Sequence, residues 1–373
     1  MTPSLKEMTA LLRQLIAVPS ISRDESAAAD LLYAWMEEHG LHPQRVKNNL
    51  WSCCEPDGAA MRVLNVPNLP PTEFPVLLLN AHIDTVKPAS GYTRDPFTPV
   101  EEGGRIYGLG SNDDGGSLVA LLSCYLRLME TRQPYRLILS ATAEEEVCGR
   151  DGFEAIFPFI GHVDLAVMGE PTGMQMAVAE RGLMVLDCTA KGRSGHAARN
   201  EGINAIYEAL PDIEWFRTHQ FEKLSPYLGP VKMTVTQINA GTQHNVVPDS
   251  CSFVVDVRPN GLYGNVELLE MIKSSVSCSV KERSTRLGSS HISMDHPVVK
   301  RGLTLGLEAF GSPTTSNQAV WPYTSIKIGP GQSSRSHTAD EFICTNEIGE
   351  GIEIYYKLLN QLELWQSSGT KDS

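Results

Sequence analysis

The feature that most constrains this chain is an apolar run, residues 76–81, that ends on His82 and is followed two residues later by Asp84. Two more apolar runs also lead into acids: residues 137–139 precede residues 144–146, and residues 165–168 precede Glu170. Short apolar runs bounded by loop residues are typical of buried strands. Because ligands of open α/β sheets bind at the carboxyl ends of the strands, the pattern predicts an α/β fold with a functional site at one sheet edge.

A histidine and several carboxylates at one edge would form a site for zinc, manganese or cobalt. Asp84 lies on the same face as His82 and can accept the second N–H of the imidazole, which fixes the tautomer of a metal-bound histidine. Asp113 lies in a glycine-rich turn, where the backbone can approach an ion closely. Glu145 and Glu146 are adjacent and point in different directions, so one can ligate while the other acts on water. A hydrolytic two-metal site needs these parts.

Length and composition limit the classes of protein to which the chain can belong. Its 373 residues favour one large domain plus a smaller one. A net charge of −13 argues against a nucleic-acid partner and gives no support for binding anionic membranes. We find neither a signal-peptide pattern nor an apolar stretch near the ~20 residues that span a bilayer. The eight cysteines contain no C-x-x-C pair, so we expect a cytoplasmic protein with reduced thiols.

The N-terminal half predicts an alternation of helices and strands. Residues 4–17 carry a helical apolar stripe, and Ser22–Glu25 resembles a capping box for a helix that ends near Glu38. A predicted helix over 117–129 follows the glycine-rich turn and precedes a strand at 136–142. A strand, a helix and a second strand in this order favour a βαβ crossover.

The pattern changes after residue 176. Alternating apolar residues and helical stretches in the order β-α-β-β-α-β predict a ferredoxin-like α+β domain over residues 177–290. The first domain then resumes, and it holds a strand near residues 325–328. We therefore expect a discontinuous catalytic domain over 1–176 and 291–373, interrupted by the smaller domain.

Several segments resemble the dinuclear-zinc aminoacylase and carboxypeptidase family, which includes acetylornithine deacetylase and succinyl-diaminopimelate desuccinylase. They are residues 80–86, 108–113, 143–146, 169–172 and 194–196. Residues 94–97, 107–110 and 256–259 are similar to segments of the acetylornithine deacetylase branch. The resemblance covers nearly the whole chain with the motifs in the right order. It implies a zinc-peptidase-like catalytic domain with a mixed, largely parallel sheet, and two zinc ions (or Co²⁺ or Mn²⁺) per subunit.

The resemblance also implies roles for individual residues of the first domain. The implied ligands are His82 and Glu170 for one zinc ion, Glu146 and His337 for the second, and Asp113 as the bridge between them. Glu145 would be the general base. His337 belongs to a segment, residues 334–341, that is similar to the C-terminal histidine motif of the family.

For the smaller domain, the resemblance implies a role as dimerisation and lid domain. His196 would reach the active site of the partner subunit in a homodimer and help to stabilise the oxyanion. Arg258 and Asn245 match positions that hold the carboxylate and polar groups of the substrate, and arginine offers bidentate carboxylate recognition. From the residues alone, a β-edge arginine often only pairs with a nearby acid. In the resumed first domain, Gly329 and Gly331 would add backbone donors.

The function implied by the resemblance is a metal-dependent amidohydrolase that removes an acyl group from an N-acyl-L-amino acid. The leading substrates are N-acetyl- or N-succinyl-ornithine, or N-acetylcitrulline, in arginine biosynthesis. Succinyl-diaminopimelate desuccinylase and dipeptidase activities are the alternatives within the same family. A non-catalytic binding protein of the same fold would have lost the base or a ligand. Neither a P-loop nor a Gly-x-Ser-x-Gly elbow is present, which disfavours nucleotide binding and a serine hydrolase. No role is assigned to His162, His219, His244, His291 or His296.

Overall fold

The structure is a computed structural model that describes residues 2–199 and 201–364. The chain divides into two compact units. Unit 1 comprises residues 1–178, 292–310 and 321–373, and unit 2 comprises residues 179–291 and 311–320. Residues 365–373, which the sequence assigns to the first domain, lie outside the described residues.

Helices and strands alternate along both units. The α-helices are α1 (Leu5–Ile16), α2 (Ser26–Glu38), α3 (Gly116–Met129), α4 (Phe157–Ile160), α5 (Ala205–Thr218), α6 (Asn265–Ser275), α7 (Pro297–Thr304) and α8 (Thr345–Leu359). The strands are β1 (Gln44–Val46), β2 (Asn49–Asp57), β3 (Ala60–Val63), β4 (Val76–His82), β5 (Val100–Glu102), β6 (Arg105–Tyr107), β7 (Arg136–Thr142), β8 (Leu165–Met168), β9 (Met176–Glu180), β10 (Met184–Lys191), β11 (Gly195–His196), β12 (Lys232–Ala240), β13 (Val246–Val247), β14 (Ser250–Arg258), β15 (Ser279–Glu282), β16 (Ser290–His291), β17 (Ala309–Ser312), β18 (Ser325–Lys327) and β19 (Phe342–Cys344).

Unit 1 is built around a mixed sheet whose centre is parallel. Its strands follow the order β1-β2-β7-β4-β8-β18-β9, and β7, β4, β8 and β18 run parallel to one another. Every residue of β4, β7 and β8 is buried, as expected for parallel strands that are covered on both faces. The helix α3, which is buried along nearly its whole length, packs against β4 and α8. The predicted α/β architecture with a largely parallel sheet is therefore confirmed.

The register of the parallel strands determines where the site lies. His82 of β4 is paired with Thr142 of β7, and Asn80 of β4 is paired with Met168 of β8. The residues that follow these three strands therefore emerge at the same edge of the sheet. This edge is the one at which the sequence predicts a histidine and carboxylates.

Unit 2 has the ferredoxin-like order of elements. Its sheet follows the order β12-β14-β10-β15, and each neighbouring pair is antiparallel. The inward residues of β10 and β14, such as Leu186 and Phe253, form a core with residues of α5 and α6, such as Phe216 and Leu268. The alternation that predicts these strands arises because one face of the sheet packs on the helices.

Residues 311–320 belong to unit 2, whereas the sequence assigns them to the first domain. The reason is a set of polar contacts within unit 2. The backbone N–H and the hydroxyl of Ser316 donate to the buried carboxylate of Glu180 at 2.8 and 2.7 Å. The backbone oxygen of Ser312 also accepts the N–H of Arg181 at 3.2 Å. Such contacts between residues more than a hundred positions apart leave no local pattern in the sequence.

The predicted capping box at Ser22–Glu25 is wrong. The helix α2 begins at Ser26, and its N-cap residue Glu25 makes no side-chain capping bond. The hydroxyl of Ser22 instead donates to Asp84 at 2.7 Å. Both side chains bond residues that are distant in sequence, which a local capping pattern cannot reveal.

Among the described residues, no helix combines the length and the apolar character needed to cross a membrane.

Candidate metal centre

His82 is the last residue of β4, and its side chain is only 2% exposed. Its Nδ1 lies 2.8 Å from the backbone oxygen of Asp84, so this nitrogen donates and leaves Nε2 as the ligating atom. Nε2 points to Oδ1 of Asp113 at 3.2 Å. Burial alone would lower the pKa of His82, but the hydrogen bonds to Asp113 and Asp84 raise this pKa well above its usual range.

The orienting role predicted for Asp84 is carried by its backbone oxygen rather than its carboxylate. The nearest carboxylate oxygen of Asp84 lies 3.5 Å from Nδ1 of His82. The carboxylate instead accepts the backbone N–H groups of Glu145 and Glu146, at 3.0 and 3.1 Å. Asp84 therefore contacts both the imidazole and the turn that carries the two predicted acids.

Asp113 lies between the two histidines that the sequence selects. It belongs to a wide helical turn, Ser111–Gly115, in which Asp113 itself is not helical and the Asp113–Asp114 peptide bond is cis. One carboxylate oxygen faces His82, and the other lies 3.7 Å from Nε2 of His337. Burial alone would raise the pKa of Asp113, but the hydrogen bond and charge of His82 hold this pKa below its ordinary value.

Glu146 and His337 are in direct contact. The two carboxylate oxygens of Glu146 lie 3.0 and 2.9 Å from Nε2 of His337. His337 has a φ of 59° and a side chain that is 55% exposed, so this end of the cluster is open to solvent. The hydrogen bond to Glu146 raises the pKa of His337.

Glu145 and Glu170 complete the cluster. Ligand atoms of His82, Glu145 and Glu170 all lie within 4.8 Å of one another, and so do those of His82, Asp113 and Glu146. Burial raises the pKa of both Glu145 and Glu170 well above the usual range. Neighbouring carboxylates, including that of Asp113, raise both values further.

This donor set fits divalent cations. Four carboxylates and two imidazoles supply only oxygen and nitrogen ligands, which suit zinc, cobalt or manganese. Buried carboxylates destabilise one another unless positive charge neutralises them. Burial, followed by neighbouring carboxylates, raises the pKa values of Glu145 and Glu170, so nearby positive charge would favour their ionised forms. Cations at the cluster would favour the deprotonated carboxylates that metal binding requires.

Two buried acids that the sequence reasoning missed support the site. Asp114 accepts the backbone N–H of His82 at 3.4 Å, and burial raises its pKa to about 7. Glu341 accepts three backbone N–H groups, from Gly110, Asn112 and Asp113, at 3.2, 2.8 and 2.9 Å. Burial, followed by the charge of Asp113, raises the pKa of Glu341 to about 8. Their only sequence signal is position: one adjoins Asp113 and the other follows His337 by four residues.

The two glycines that are predicted to offer backbone donors, Gly329 and Gly331, make backbone contacts within unit 1. The N–H of Gly329 donates to the hydroxyl of Thr172 at 3.0 Å, and the predicted roles of both glycines remain predictions. The oxygen of Gly331 accepts the N–H of Gly173 at 2.7 Å. Gly331 has a φ of +86°, and a Cβ there would lie 2.4 Å from Oδ1 of Asn112, so the position requires glycine.

Arg258 lies on β14 of unit 2 and forms an ion pair within that unit. Its Nε and one terminal nitrogen donate to the two carboxylate oxygens of Asp256 at 2.8 and 3.0 Å. The other terminal nitrogen donates to the hydroxyl of Thr315 at 3.1 Å. The pairing with a nearby acid, which the sequence left open, is thus present. Its predicted role in carboxylate recognition remains a prediction.

His196 and Asn245 lie near each other in unit 2. His196 is exposed on the short strand β11, which pairs with β13, and its Nδ1 accepts the N–H of Ala198 at 3.2 Å. The backbone oxygen of Asn245 accepts the N–H of Ala197 at 3.1 Å. The side chains of both His196 and Asn245 are exposed. Their predicted roles remain predictions.

Comparisons with known proteins identify the family and the fold of this chain. A profile of peptidase family M20/M25/M40 matches residues 78–361. An acetylornithine deacetylase of Pectobacterium carotovorum is 27% identical and is aligned over 96% of this chain and 99% of its own. A succinyl-diaminopimelate desuccinylase of Cereibacter sphaeroides is 26% identical over 75% of each chain.

Solved structures share the fold. The aminopeptidase PepT of Bacillus cereus has a TM-score of 0.75 at 16% identity, with 97% of this chain and 99% of that chain covered. The YXEP protein of Bacillus subtilis, described as a dinuclear metal-binding peptidase, has a TM-score of 0.73 at 14% identity, with the same coverage.

The buried acids predict an unusual pH dependence for the metal-free protein. The pKa values of Asp114 and Glu341 are raised from 3.8 and 4.5 to about 7 and about 8. From roughly pH 5 to 8, the folded protein therefore holds protons that the unfolded chain has released. Because the unfolded state then binds fewer protons, the free energy of unfolding should fall as the pH rises.

Urea unfolding of chelator-treated protein at several pH values measures this slope. Glu341→Gln should flatten it, because the neutral amide does not titrate, whereas Glu350→Gln, at an exposed position on α8, should leave it unchanged. Added Zn²⁺ should stabilise the protein more at pH 8 than at pH 5. A stability that rises between pH 5 and 8 without metal would contradict this account.

Proposed function

Because this chain belongs to peptidase family M20/M25/M40, we propose that it is a metal-dependent amidohydrolase that removes an acyl group from an N-acyl-L-amino acid. The observation that carries the proposal is the convergence of two histidines and four carboxylates at one edge of the unit 1 sheet. The chain contains the predicted base and all the predicted ligands, which argues against a non-catalytic binding protein.

We further propose that the substrate is N-acetyl- or N-succinyl-ornithine, or N-acetylcitrulline, in arginine biosynthesis in the cytoplasm. The similarity to acetylornithine deacetylases over nearly the full length of both chains supports this choice. The similarity to a succinyl-diaminopimelate desuccinylase keeps that activity as the second candidate, since both reactions cleave an amide of a small amino acid.

The proposed cations are two zinc ions, or cobalt or manganese in their place. The ligands would be His82 and Glu170 for one ion, His337 and Glu146 for the other, and Asp113 for both. The distances of Asp113 to both imidazoles, 3.2 and 3.7 Å, support the shared role. Bound cations would lower the pKa of a water molecule and polarise the acyl carbonyl.

Glu145 is the proposed general base. Its side chain is only 9% exposed, and its nearest carboxylate oxygen lies 4.0 Å from Nε2 of His82. It would take a proton from the attacking water and deliver it to the nitrogen of the leaving amine. Burial raises its pKa, and a higher pKa makes the ionised carboxylate a stronger base.

His196, Asn245 and Arg258 of unit 2 are proposed to recognise the substrate. His196 would donate to the oxyanion in the active site of the partner subunit, and loss of one such donor typically raises the barrier by ~2.7–4 kcal/mol. Arg258 would bind the substrate carboxylate. Its present partners, Asp256 and Thr315, would then compete with the substrate or orient the guanidinium toward it.

Replacement of the base tests the mechanism. Glu145→Gln should lower kcat by about 10²–10⁴-fold, the usual contribution of a positioned acid–base group. Metal content, measured by plasma mass spectrometry, should stay within the range of the wild type. Glu144→Gln is the matched control on the adjacent acid and should retain activity. If the control lost activity and Glu145→Gln kept it, the base would be Glu144.

A hydrolysis panel tests the substrate. Zinc-, cobalt- and manganese-loaded protein is assayed on N-acetylornithine, N-succinylornithine, N-acetylcitrulline, succinyl-diaminopimelate and dipeptides. We expect the highest kcat/KM on an acylated ornithine or citrulline. Inactivity on all three of those compounds would eliminate the leading choice. His82→Ala and His337→Ala should lose metal and activity, whereas His162→Ala, at an exposed loop of unit 1, should retain both.

We also propose that the protein is a homodimer that pairs through unit 2. Tyr207 and Leu210 are exposed on α5, and Ile238 is exposed on β12, which is an edge strand of its sheet. Exposed apolar side chains beside an open strand edge favour pairing with another chain.

Size-exclusion chromatography with light scattering tests the proposed dimer. The mass of one chain is 40.9 kDa. We expect twice this mass for the wild type and a monomer for the double change Tyr207→Glu with Leu210→Glu. The control Val266→Glu, at an exposed residue of α6, should leave the mass unchanged. A wild-type monomer at micromolar concentration would refute the proposal.

A further inference from the structure

The turn that carries the predicted base is held by carboxylates through its backbone. Three consecutive N–H groups, of Glu144, Glu145 and Glu146, each donate to a buried carboxylate. The first donates to Oε1 of Glu25 at 3.3 Å, and the next two donate to Oδ1 and Oδ2 of Asp84 at 3.0 and 3.1 Å. The main chain around the base is thus fixed by two acids from other parts of unit 1.

This turn has little structure of its own. It forms a single 3₁₀ turn, Glu145–Val147, flanked by Glu144 and Cys148 in left-handed conformations with φ of 55° and 47°. Its internal backbone bonds are those of Cys148 to Glu145 and of Gly149 to Glu144, both at 2.8 Å. A turn this short depends on outside contacts for its orientation, and the direction of the Glu145 side chain depends on the turn.

Glu25, which accepts the N–H of Glu144, is a buried residue. The residue is 1% exposed, and burying a carboxylate is costly unless hydrogen bonds compensate. Its Oε1 accepts the N–H of Arg23 as well as that of Glu144, and its Oε2 accepts the side-chain amide of Asn48 at 3.0 Å. None of these bonds caps α2, which begins at the next residue. The carboxylate is therefore satisfied by Arg23, Asn48 and the turn, and not by the helix.

Ser22 is linked to the same turn through Asp84. Its hydroxyl donates to Oδ2 of Asp84 at 2.7 Å, and its backbone N–H donates to the oxygen of Thr85 at 3.1 Å. The segment Ser22–Glu25 therefore holds the turn directly through Glu25 and indirectly through Asp84.

We infer that Glu25 is a positioning residue for the hydrolysis, because it fixes the amide immediately before Glu145 and so sets the direction of the base. This inference rests on the proposed function, since it assigns Glu25 a part in the work of Glu145. Glu25 lies outside the cluster of predicted ligands, so its loss acts on kcat rather than on substrate binding. A misplacement of a reacting group by about 1 Å costs up to roughly 10²-fold in rate.

The test compares Glu25→Ala, Glu25→Gln and Asp24→Ala in the metal-loaded, full-length protein. Glu25→Ala should lower kcat about 10–100-fold, with KM within about threefold of the wild type. Glu25→Gln keeps an oxygen that can accept the N–H of Glu144 and should recover kcat to within about threefold of the wild type. Asp24 is the adjacent, exposed acid, and its replacement should leave kcat unchanged.

A second measurement does not depend on activity. Hydrogen–deuterium exchange of a peptide that covers residues 143–149, followed by mass spectrometry, reports the protection of the three amides. Exchange in this peptide should be about tenfold or more faster in Glu25→Ala, and close to that of the wild type in Glu25→Gln and Asp24→Ala. A role confined to stability would lower the melting temperature without this local change.

The outcomes separate the two proposals. Wild-type protein that hydrolyses no N-acyl amino acid refutes the proposed function, whereas the exchange measurement still decides whether Glu25 holds the turn. The inference is overturned if Glu25→Ala keeps the kcat of the wild type, whatever its exchange, or if its exchange is unchanged. Should Glu25→Ala fail to fold, Glu25→Asp replaces it. Its shorter side chain should still lower kcat about tenfold, and wild-type kcat and exchange in this variant would overturn the inference.

Discussion

The repulsion among buried carboxylates at the edge of the parallel sheet is the interaction on which the site of unit 1 depends. Asp113, Glu145, Glu146 and Glu170 lie together with the imidazoles of His82 and His337, and the charge of the buried Lys327 also acts on Glu170. Burial and mutual repulsion raise the pKa values of Glu145 and Glu170, while His82 holds that of Asp113 down. Positive charge that enters this cluster would stabilise its ionised carboxylates, which suits it to hold cations.

Three further buried acids accept backbone N–H groups beside this cluster. Glu341 holds the loop before Asp113, Asp84 holds the turn of Glu145 and Glu146, and Glu25 holds Glu144. The N–H donors favour the ionised form of each carboxyl group, against the effect of burial. The protein therefore uses one chemical group for two purposes, and the difference lies in whether its oxygens face amides or the open centre of the cluster.

The sequence predicted those residues of the site that lie at or just after the end of a strand. The apolar runs before His82, Glu144 and Glu170 identify buried parallel strands, and parallel strands bring their carboxyl ends to one edge. Residues whose partners are distant could not be found this way. Ser22 and Glu25 matched a local capping pattern but bond Asp84 and Glu144, which lie 62 and 119 residues away. Residues 311–320, which the sequence assigns to the first domain, group with unit 2 through contacts with the distant Glu180 and Arg181.

The hydrogen bonds of Glu341 restrict when the loop of Asp113 can reach its final form during synthesis. Its carboxylate accepts the amide of Asp113 across 228 positions, and it also accepts those of Gly110 and Asn112. During synthesis from the N-terminus, the loop of Asp113 emerges long before its acceptor does. Until residue 341 has left the ribosome, the three amides have no carboxylate to bind. The loop of Asp113 can therefore make these three bonds only after residue 341 has been synthesised.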